Sequence, residues 1–357
     1  MKRVLKGILK TVLGIVGFVV LAAAAFLGCL TIAEYKPADV EAVELRGEKS
    51  DQALPLDEEI SVMTWNVGYC ALGKDADFFI DGGGKAPNAS RDLVEKNRLG
   101  ISEAIGMMDP DICILQEVDV DSSRSYRVDQ RRALARGNNA FAINYKCGFV
   151  PYPIPPIGRV KSGIFTTSAY EIRDNAARIA LPCPFSWPLR IANLKRALLI
   201  TRMPVEGTGK ELVVVNFHLE AYDGGEGKIA QTKKLLEILG EEYSKGNYVI
   251  AGGDWNQTFP GSLDVYPNTH EDLWAVGLID PDSVPDGWTI GYDTDTPTCR
   301  LLNQPYDPSD TVNTQYYVID GFIMSPNVDL KEVKTQDLDF EYSDHNPVVM
   351  KVVLKKE

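Results

Sequence analysis

The sequence predicts an α+β protein: two mostly antiparallel β-sheets packed face to face with helices outside them, a four-layer α/β/β/α sandwich. Some strand-like runs alternate with helical runs, as at 90–118 and 228–253. Others follow one another through short turns, as at 195–219 around Gly207-Thr208-Gly209. A doubly wound parallel sheet would need a helix at nearly every crossover, so the mixture calls for two sheets sharing one core.

The elements follow in order. Lys2, Arg3, Lys6 and Lys10 precede an uncharged apolar run from Thr11 to Ala33. Its length suits a membrane span of about 20 residues. Glu34, Asp39, Glu41 and Glu44 follow it. This charge asymmetry places the N-terminus in the cytoplasm and the rest outside, as a single-pass anchor over residues 1–33. The competing reading is a cleaved signal peptide and a secreted product, because Ala23 and Ala25 supply an A-x-A-like site. The apolar run continues past that site, which favours an uncleaved anchor. Phe26-Leu27-Gly28-Cys29 matches a lipobox poorly.

Residues 34–57 are polar, acidic and without periodicity, and read as a tether. One domain then spans 58–357, with no internal repeat, low-complexity segment or interdomain linker. Ile60 to Asn66 is strand-like. Ser90 is placed to cap a helix carrying Leu93, Val94, Asn97, Ile101, Ala104, Ile105 and Met108. Asp109-Pro110-Asp111 ends that helix, and Ile112 to Val118 reads as a strand. Further strands are expected at 161–170, 195–205, 210–219, 247–253, 316–325 and 347–354. A helix from Lys228 to Tyr243 carries Ile229, Leu235, Leu236 and Leu239. Phe149-Val150-Pro151-Tyr152-Pro153-Ile154-Pro155-Pro156-Ile157 reads as an extended polyproline-like connector. The alternatives are an apolar lip beside the active site or a loop that dips into lipid.

Composition narrows the function. Of 357 residues, 45% are apolar, enough for a sizeable core. A formal net charge of −13 disfavours a protein that coats nucleic acid, since such binding rests on Lys and Arg. A nuclease stays open, because a cleft can be locally basic on an acidic surface. The six Cys are scattered and contain no C-x-x-C, so neither a zinc ribbon nor a disulfide framework is indicated.

The chemistry lies where apolar runs meet loops. Asn66 ends a strand before Gly68, and Glu117 ends the run Ile112-Cys113-Ile114-Leu115-Gln116. Strand ends of this kind are where sheets present ligand-binding groups. His218 closes Val213-Val214-Val215-Asn216-Phe217-His218. Asp254 and Asn256 follow Gly252-Gly253, whose glycines are expected to let the backbone turn tightly there. Asp320 interrupts the apolar run Tyr316 to Met324 and needs a partner, because an unpaired buried charge is costly. Ser343-Asp344-His345-Asn346-Pro347 closes the set. Each cluster alone has an ordinary structural reading as a turn, a loop start or a core histidine.

Together and in this order the clusters resemble the endonuclease/exonuclease/phosphatase superfamily, the deoxyribonuclease I-like fold. Thr64-Trp65-Asn66, Gln116-Glu117-Val118, Asn216-Phe217-His218-Leu219, Gly253-Asp254-Trp255-Asn256, Ile319-Asp320-Gly321-Phe322 and Ser343-Asp344-His345-Asn346-Pro347 carry the likeness, over roughly residues 58–354. The resemblance implies that Glu117 is the main protein ligand of Mg²⁺ (Mn²⁺ as an alternative), with Asn66 and Asp344 nearby; a hard cation that keeps its waters needs few carboxylates. His345 would contact the scissile phosphate, with Asp320 fixing its tautomer and favouring its charged form. Asp254 would orient or deprotonate the attacking water, Asn256 would hold a phosphate oxygen, and His218 would donate to the phosphate or the leaving oxygen. Which residue is base and which acid varies in the family.

Some family features have no counterpart in the sequence. The carboxylate that partners the upstream histidine in deoxyribonucleases has no match near Ser162 to Glu171. Arg124 follows Glu117 closely and reads either as a substrate-binding group or as a helix-surface arginine. The leading expectation is a Mg²⁺-dependent phosphoesterase anchored on the outside of a bacterial-type cell. Nucleic acid comes first among its substrates by family prevalence, with a sphingomyelin-like phospholipid or an inositol phosphate as alternatives. No protein partner is indicated. A non-catalytic binding module would have no chemical reason to keep so costly a polar set. A zinc hydrolase would have only His270 left and lacks H-E-x-x-H.

Overall fold

The computed structural model describes residues 2–84, 89–270, 273–310 and 312–356. Fourteen strands build its two large sheets. They are β1 (Val40–Ala42), β2 (Leu45–Arg46), β3 (Glu59–Asn66), β4 (Ile112–Asp119), β5 (Asn138–Val150), β6 (Gly158–Ser168) and β7 (Ala177–Ala180). They continue with β8 (Ala197–Pro204), β9 (Glu211–His218), β10 (Tyr248–Asp254), β11 (Thr289–Gly291), β12 (Asp320–Met324), β13 (Val328–Thr335) and β14 (Val348–Leu354). The three long helices are α1 (Lys2–Ile32), α2 (Arg91–Met108) and α3 (Glu226–Ser244). One sheet runs β1-β7-β8-β9-β10-β12-β11 and the other β13-β14-β3-β4-β6-β5-β2, seven strands each.

Period-two alternation explains the layers. Ile112 and Ile114 of β4 point into the core between the sheets, where they meet Val214 of β9, Ile250 of β10 and Phe322 of β12. Their neighbours Cys113 and Leu115 point outward onto Val94, Ile101 and Ile105 of α2. Val213, Val215, Val249 and Ala251 likewise point outward onto Leu235, Ile238 and Leu239 of α3. β4, β9 and β10 are apolar on both faces because both faces are covered. The result is the predicted α/β/β/α order.

Within these two sheets pairing is antiparallel except at β3–β4 and β9–β10, whose crossovers are α2 and α3. Ser90 caps α2 by accepting from Leu93 N at 3.2 Å. These two parallel pairs deliver the site. Their carboxyl ends fall at Asn66, Glu117, His218 and Asp254, and the register sets Asp254 opposite both His218 and Asp320.

Four sequence expectations change. The stretch read as a tether is partly ordered, since β1 pairs with β7 and β2 with β5, so sheet structure begins well before residue 58. The proline-rich connector is instead the tip between β5 and β6, with Phe149 and Val150 still in the strand. Asp320 opens β12 rather than lying mid-strand, because Val318 and Ile319 break the run. Gly252 and Gly253 do not turn the chain. They sit within β10, where a Cβ on Gly253 would lie 2.0 Å from Phe217 O and one on Gly252 would enter the Phe322 ring. Their smallness lets β9 and β12 approach where the site is built.

Candidate active site

Asn66, Glu117, Arg124, His218, Asp254, Asn256, Asp344 and His345 line one cleft at the carboxyl end of these strands, holding about 210 Å³ of water-accessible space. Asp320 lies directly behind His345. All nine residues anticipated from the sequence are thus brought together.

Glu117 reaches the cleft through a bulge. The β4–β6 register shifts between Leu115 and Val118, and Glu117 takes φ 57°, a region uncommon for non-glycine residues. A bulge of this kind re-aims one side chain out of the pleat. Glu117 stays about a quarter exposed, whereas Asp254 and Asp344 are buried. Asn256 also has positive φ, 49°; its N–H donates to Asp254 Oδ1 at 2.9 Å and its Nδ2 to Leu219 O at 2.9 Å.

Asp254 is the hub. Its Oδ2 accepts from Asn66 Nδ2 at 3.0 Å and lies 3.3 Å from His218 Nε2 and 3.8 Å from His345 Nε2. Burial, then the Asp320 charge, raises its carboxyl to about 6. His345 Nδ1 hydrogen-bonds to Asp320 Oδ2 at 2.7 Å, with Asp320 fully buried. Burial alone would lower the His345 pKa, but the Asp320 carboxylate, assisted by Cys299, overrides it and holds the ring well above its ordinary value. His218 goes the other way: burial, with Arg196 and His345 adding like charge, lowers it well below the ordinary value. One imidazole is thus biased toward its charged form and the other toward its neutral form, a separation suited to different proton roles.

Glu117 and Asp344 form the acidic side. Burial raises the Glu117 carboxyl, against the pull of Arg124. Burial raises Asp344 to about 7, against His345 and reinforced by Glu117. Gly68 leaves room for this carboxylate; a Cβ there would come within 2.9 Å of Asp344 Oδ1. Two crowded carboxylates of raised pKa fit a hard divalent cation, which would relieve both. Asn66 is placed differently from a direct ligand. Its Oδ1 accepts from Gly68 N at 3.1 Å, while its Nδ2 faces Glu117 Oε1 at 3.5 Å and Asp254. In this rotamer it orients the carboxylates. Asp254, Asp320 and His345 also bring one donor atom each within 4.8 Å of one another. Asp320 and Asp254 face opposite nitrogens of the His345 ring, Nδ1 at 2.7 Å and Nε2 at 3.8 Å.

Arg124 is no helix-surface arginine. It forms a bidentate pair with buried Asp119, both bonds 3.1 Å, and stacks over the Tyr69 ring at 3.6 Å while facing the cleft. Sequence reasoning missed a second basic corner. Arg196, Asn144 and Ser162 line the same cleft, all nearly fully buried. Asn144 Nδ2, Ser162 Oγ and His218 Nδ1 make no hydrogen bond there, and Arg196 Nε makes none but lies 3.5 Å from Glu220 Oε2 in a buried ion pair. Ser162 falls in the stretch that offers His218 no carboxylate partner, and it supplies a hydroxyl rather than a charge. Asn144, Ser162 and Arg196 come from β5, β6 and the residue before β8, so no local pattern announces them; the only signal was Arg196 at the head of an apolar run.

Comparison with known proteins agrees with this geometry. The sequence profile of the Endonuclease/Exonuclease/phosphatase family matches residues 63–345. No curated protein matches the sequence. Among solved structures, an endonuclease/exonuclease/phosphatase from Beutenbergia cavernae superposes with TM-score 0.55 at 19% identity, covering 83% of this chain and 72% of its own. A Bacteroides thetaiotaomicron endonuclease/exonuclease/phosphatase family protein gives 0.51 at 14%, covering 84% and 99%. Truncated TDP2 from Caenorhabditis elegans gives 0.50 at 18%, covering 84% and 99%. The chain belongs to the endonuclease/exonuclease/phosphatase family and is a metal-dependent phosphoric ester hydrolase.

Proposed function

We propose that the chain is a Mg²⁺-dependent phosphodiesterase held by α1 at the outer face of a membrane. The observation that carries this reading is the convergence of a charged imidazole, a neutral imidazole and the Asp254 carboxylate beside the Glu117–Asp344 pair. Glu117 and Asp344 would hold Mg²⁺, whose charge would stabilise the phosphate oxygens. His345, kept protonated by Asp320, presents Nε2–H to the developing charge on phosphorus-bound oxygen. Asp254 is ionised at neutral pH and accepts the proton of the attacking water. His218 and Asn256 position the phosphate and the departing oxygen, and Arg124 and Arg196 hold a flanking anionic group.

Family prevalence puts nucleic acid first among substrates. The cleft walls favour an ester with an apolar flank, since Phe78, Ile80, Ile157, Leu194, Trp274 and Leu301 close around it. The test is a screen of the detergent-solubilised full chain against plasmid DNA, sphingomyelin and inositol phosphates, with Mg²⁺ or EDTA. Mg²⁺-dependent hydrolysis of DNA or sphingomyelin supports the reading, and hydrolysis of inositol phosphates alone makes the chain a phosphomonoesterase. Hydrolysis indifferent to EDTA, or no hydrolysis of any, rejects it.

A further inference from the structure

The outer end of α1 does not leave the domain free. Phe26 packs edge-to-face on Phe149 at the end of β5, ring centroids 6.1 Å apart. Trp187 Nε1 donates to Thr31 Oγ1 at 3.2 Å, and Arg190 Nε donates to Glu34 just past the helix. These contacts fix the depth of the adjoining loops. Phe26 lies seven residues before Ala33, the end of the apolar run, or roughly 10 Å along a helix axis. If α1 spans a bilayer over that run, a ring touching Phe26 lies below the bilayer surface, and the chain next to it must meet lipid.

That chain has the surface for it. Beyond Phe149, Tyr152 is 65% exposed and Ile154 91%; beside Trp187, at 52%, Leu189 is 64% exposed. A grouped apolar patch of this kind marks an interaction surface rather than ordinary scatter. Trp and Tyr at its edge suit the headgroup layer. Lys36 and Arg190 stand at the helix exit, both paired with Glu34 at 3.7 and 3.1 Å, and the Arg190 pair ties that exit to the domain.

The patch is continuous with the cleft. Tyr152 packs on Phe79 with centroids 5.2 Å apart, and the next residue, Ile80, lies in the cleft wall with Ile157 and Leu194. We propose that the tip between β5 and β6, with Trp187 and Leu189, seats in the outer layer of the bilayer spanned by α1, so that the cleft takes its phosphoester from a lipid of that same bilayer. This rests on the anchored-phosphodiesterase reading, which it deepens by naming the substrate's source.

The experiment uses the full chain in nanodiscs of phosphatidylglycerol, phosphatidylcholine and sphingomyelin. Its first arm needs no turnover. The emission lost in Trp187→Phe isolates Trp187, and acyl chains brominated near the headgroup should quench that component at least twofold. An unquenched Trp187 in a chain that remains in the disc overturns the seating. A chain recovered outside the disc rejects the anchor, and the seating with it.

The second arm compares headgroup release from the disc lipids with hydrolysis of water-soluble bis(p-nitrophenyl) phosphate. Ile154→Asp should cut the first tenfold or more and leave the second within twofold. Equal losses, or none, overturn the lip. A wild-type chain that hydrolyses only the soluble ester rejects the lipid source while leaving the phosphodiesterase standing. A chain that hydrolyses neither rejects the phosphodiesterase reading, and with it the lipid source, while the quenching arm still decides the seating.

Discussion

Replacing Asp320 by Asn removes one charge behind the candidate site and little volume. Asp320 is fully buried and holds His345 Nδ1 at 2.7 Å. The hydrogen bond survives the change only as a neutral one, and the imidazole loses the carboxylate that keeps it protonated. His345 then meets the developing oxyanion uncharged. A preorganised donor to such a charge is worth about 3–4 kcal/mol, so kcat should fall roughly 10²–10³-fold with KM nearly unchanged. The His345 pKa should drop, and the alkaline limb of the kcat profile should move to lower pH.

Stability carries the same signature. A histidine whose folded pKa is raised contributes fully below its unfolded value near 6.5, and the contribution disappears as pH rises through the folded value. In Asp320→Asn that pH dependence should flatten. The assay is a double-mutant cycle with His345→Ala, using steady-state kinetics and histidine NMR titration. The double variant should be scarcely worse than either single one. Fully multiplicative losses, or an unmoved His345 titration, would refute the pairing.

Glu117→Gln should keep the fold and weaken Mg²⁺ binding at least tenfold by calorimetry, because a formal ligand charge is lost while the shape stays. Asp344 is raised to about 7, so protons should compete with the cation: Mg²⁺ should raise Tm more at pH 8 than at pH 5.5, and equal shifts would move the metal elsewhere. Gly253→Ala should destabilise the domain by several kcal/mol in denaturant unfolding, since its Cβ would meet Phe217 O at 2.0 Å. Protease added to intact cells should degrade the domain, and cleavage only after membrane rupture would reverse the orientation.

The parts of the fold legible in the sequence were those whose side chains pack locally. Strands such as β9 and β10, apolar on both faces, and α2 with its Ser90 cap announce themselves. β5 did not, because Asn138, Asn139 and Asn144 break its apolar pattern, and the Asn138 side chain is held by Tyr170 O, distant in sequence. β1 and β2 are three and two residues long, too short for any period to show. The run Tyr316 to Met324 could not reveal its break at Val318–Ile319, since both residues are as apolar as a strand interior. In the site, residues tied to strand ends were readable. The corner of Arg196, Asn144 and Ser162 was not, since it exists only once separate strands are stacked.

The alignment of His218, Asp254 and Asp320 on three neighbouring strands makes the peptide ladder a ruler for the chemistry. Adjacent strands stand about 4.8 Å apart whatever their side chains, so the spacing of the reacting groups is inherited from main-chain pairing. The rim that chooses a substrate is made of loops and can be lengthened, recoloured or replaced while that ruler stays put. For an engineer, grafting rim segments between relatives should redirect the enzyme, whereas altering the three strands should only blunt it.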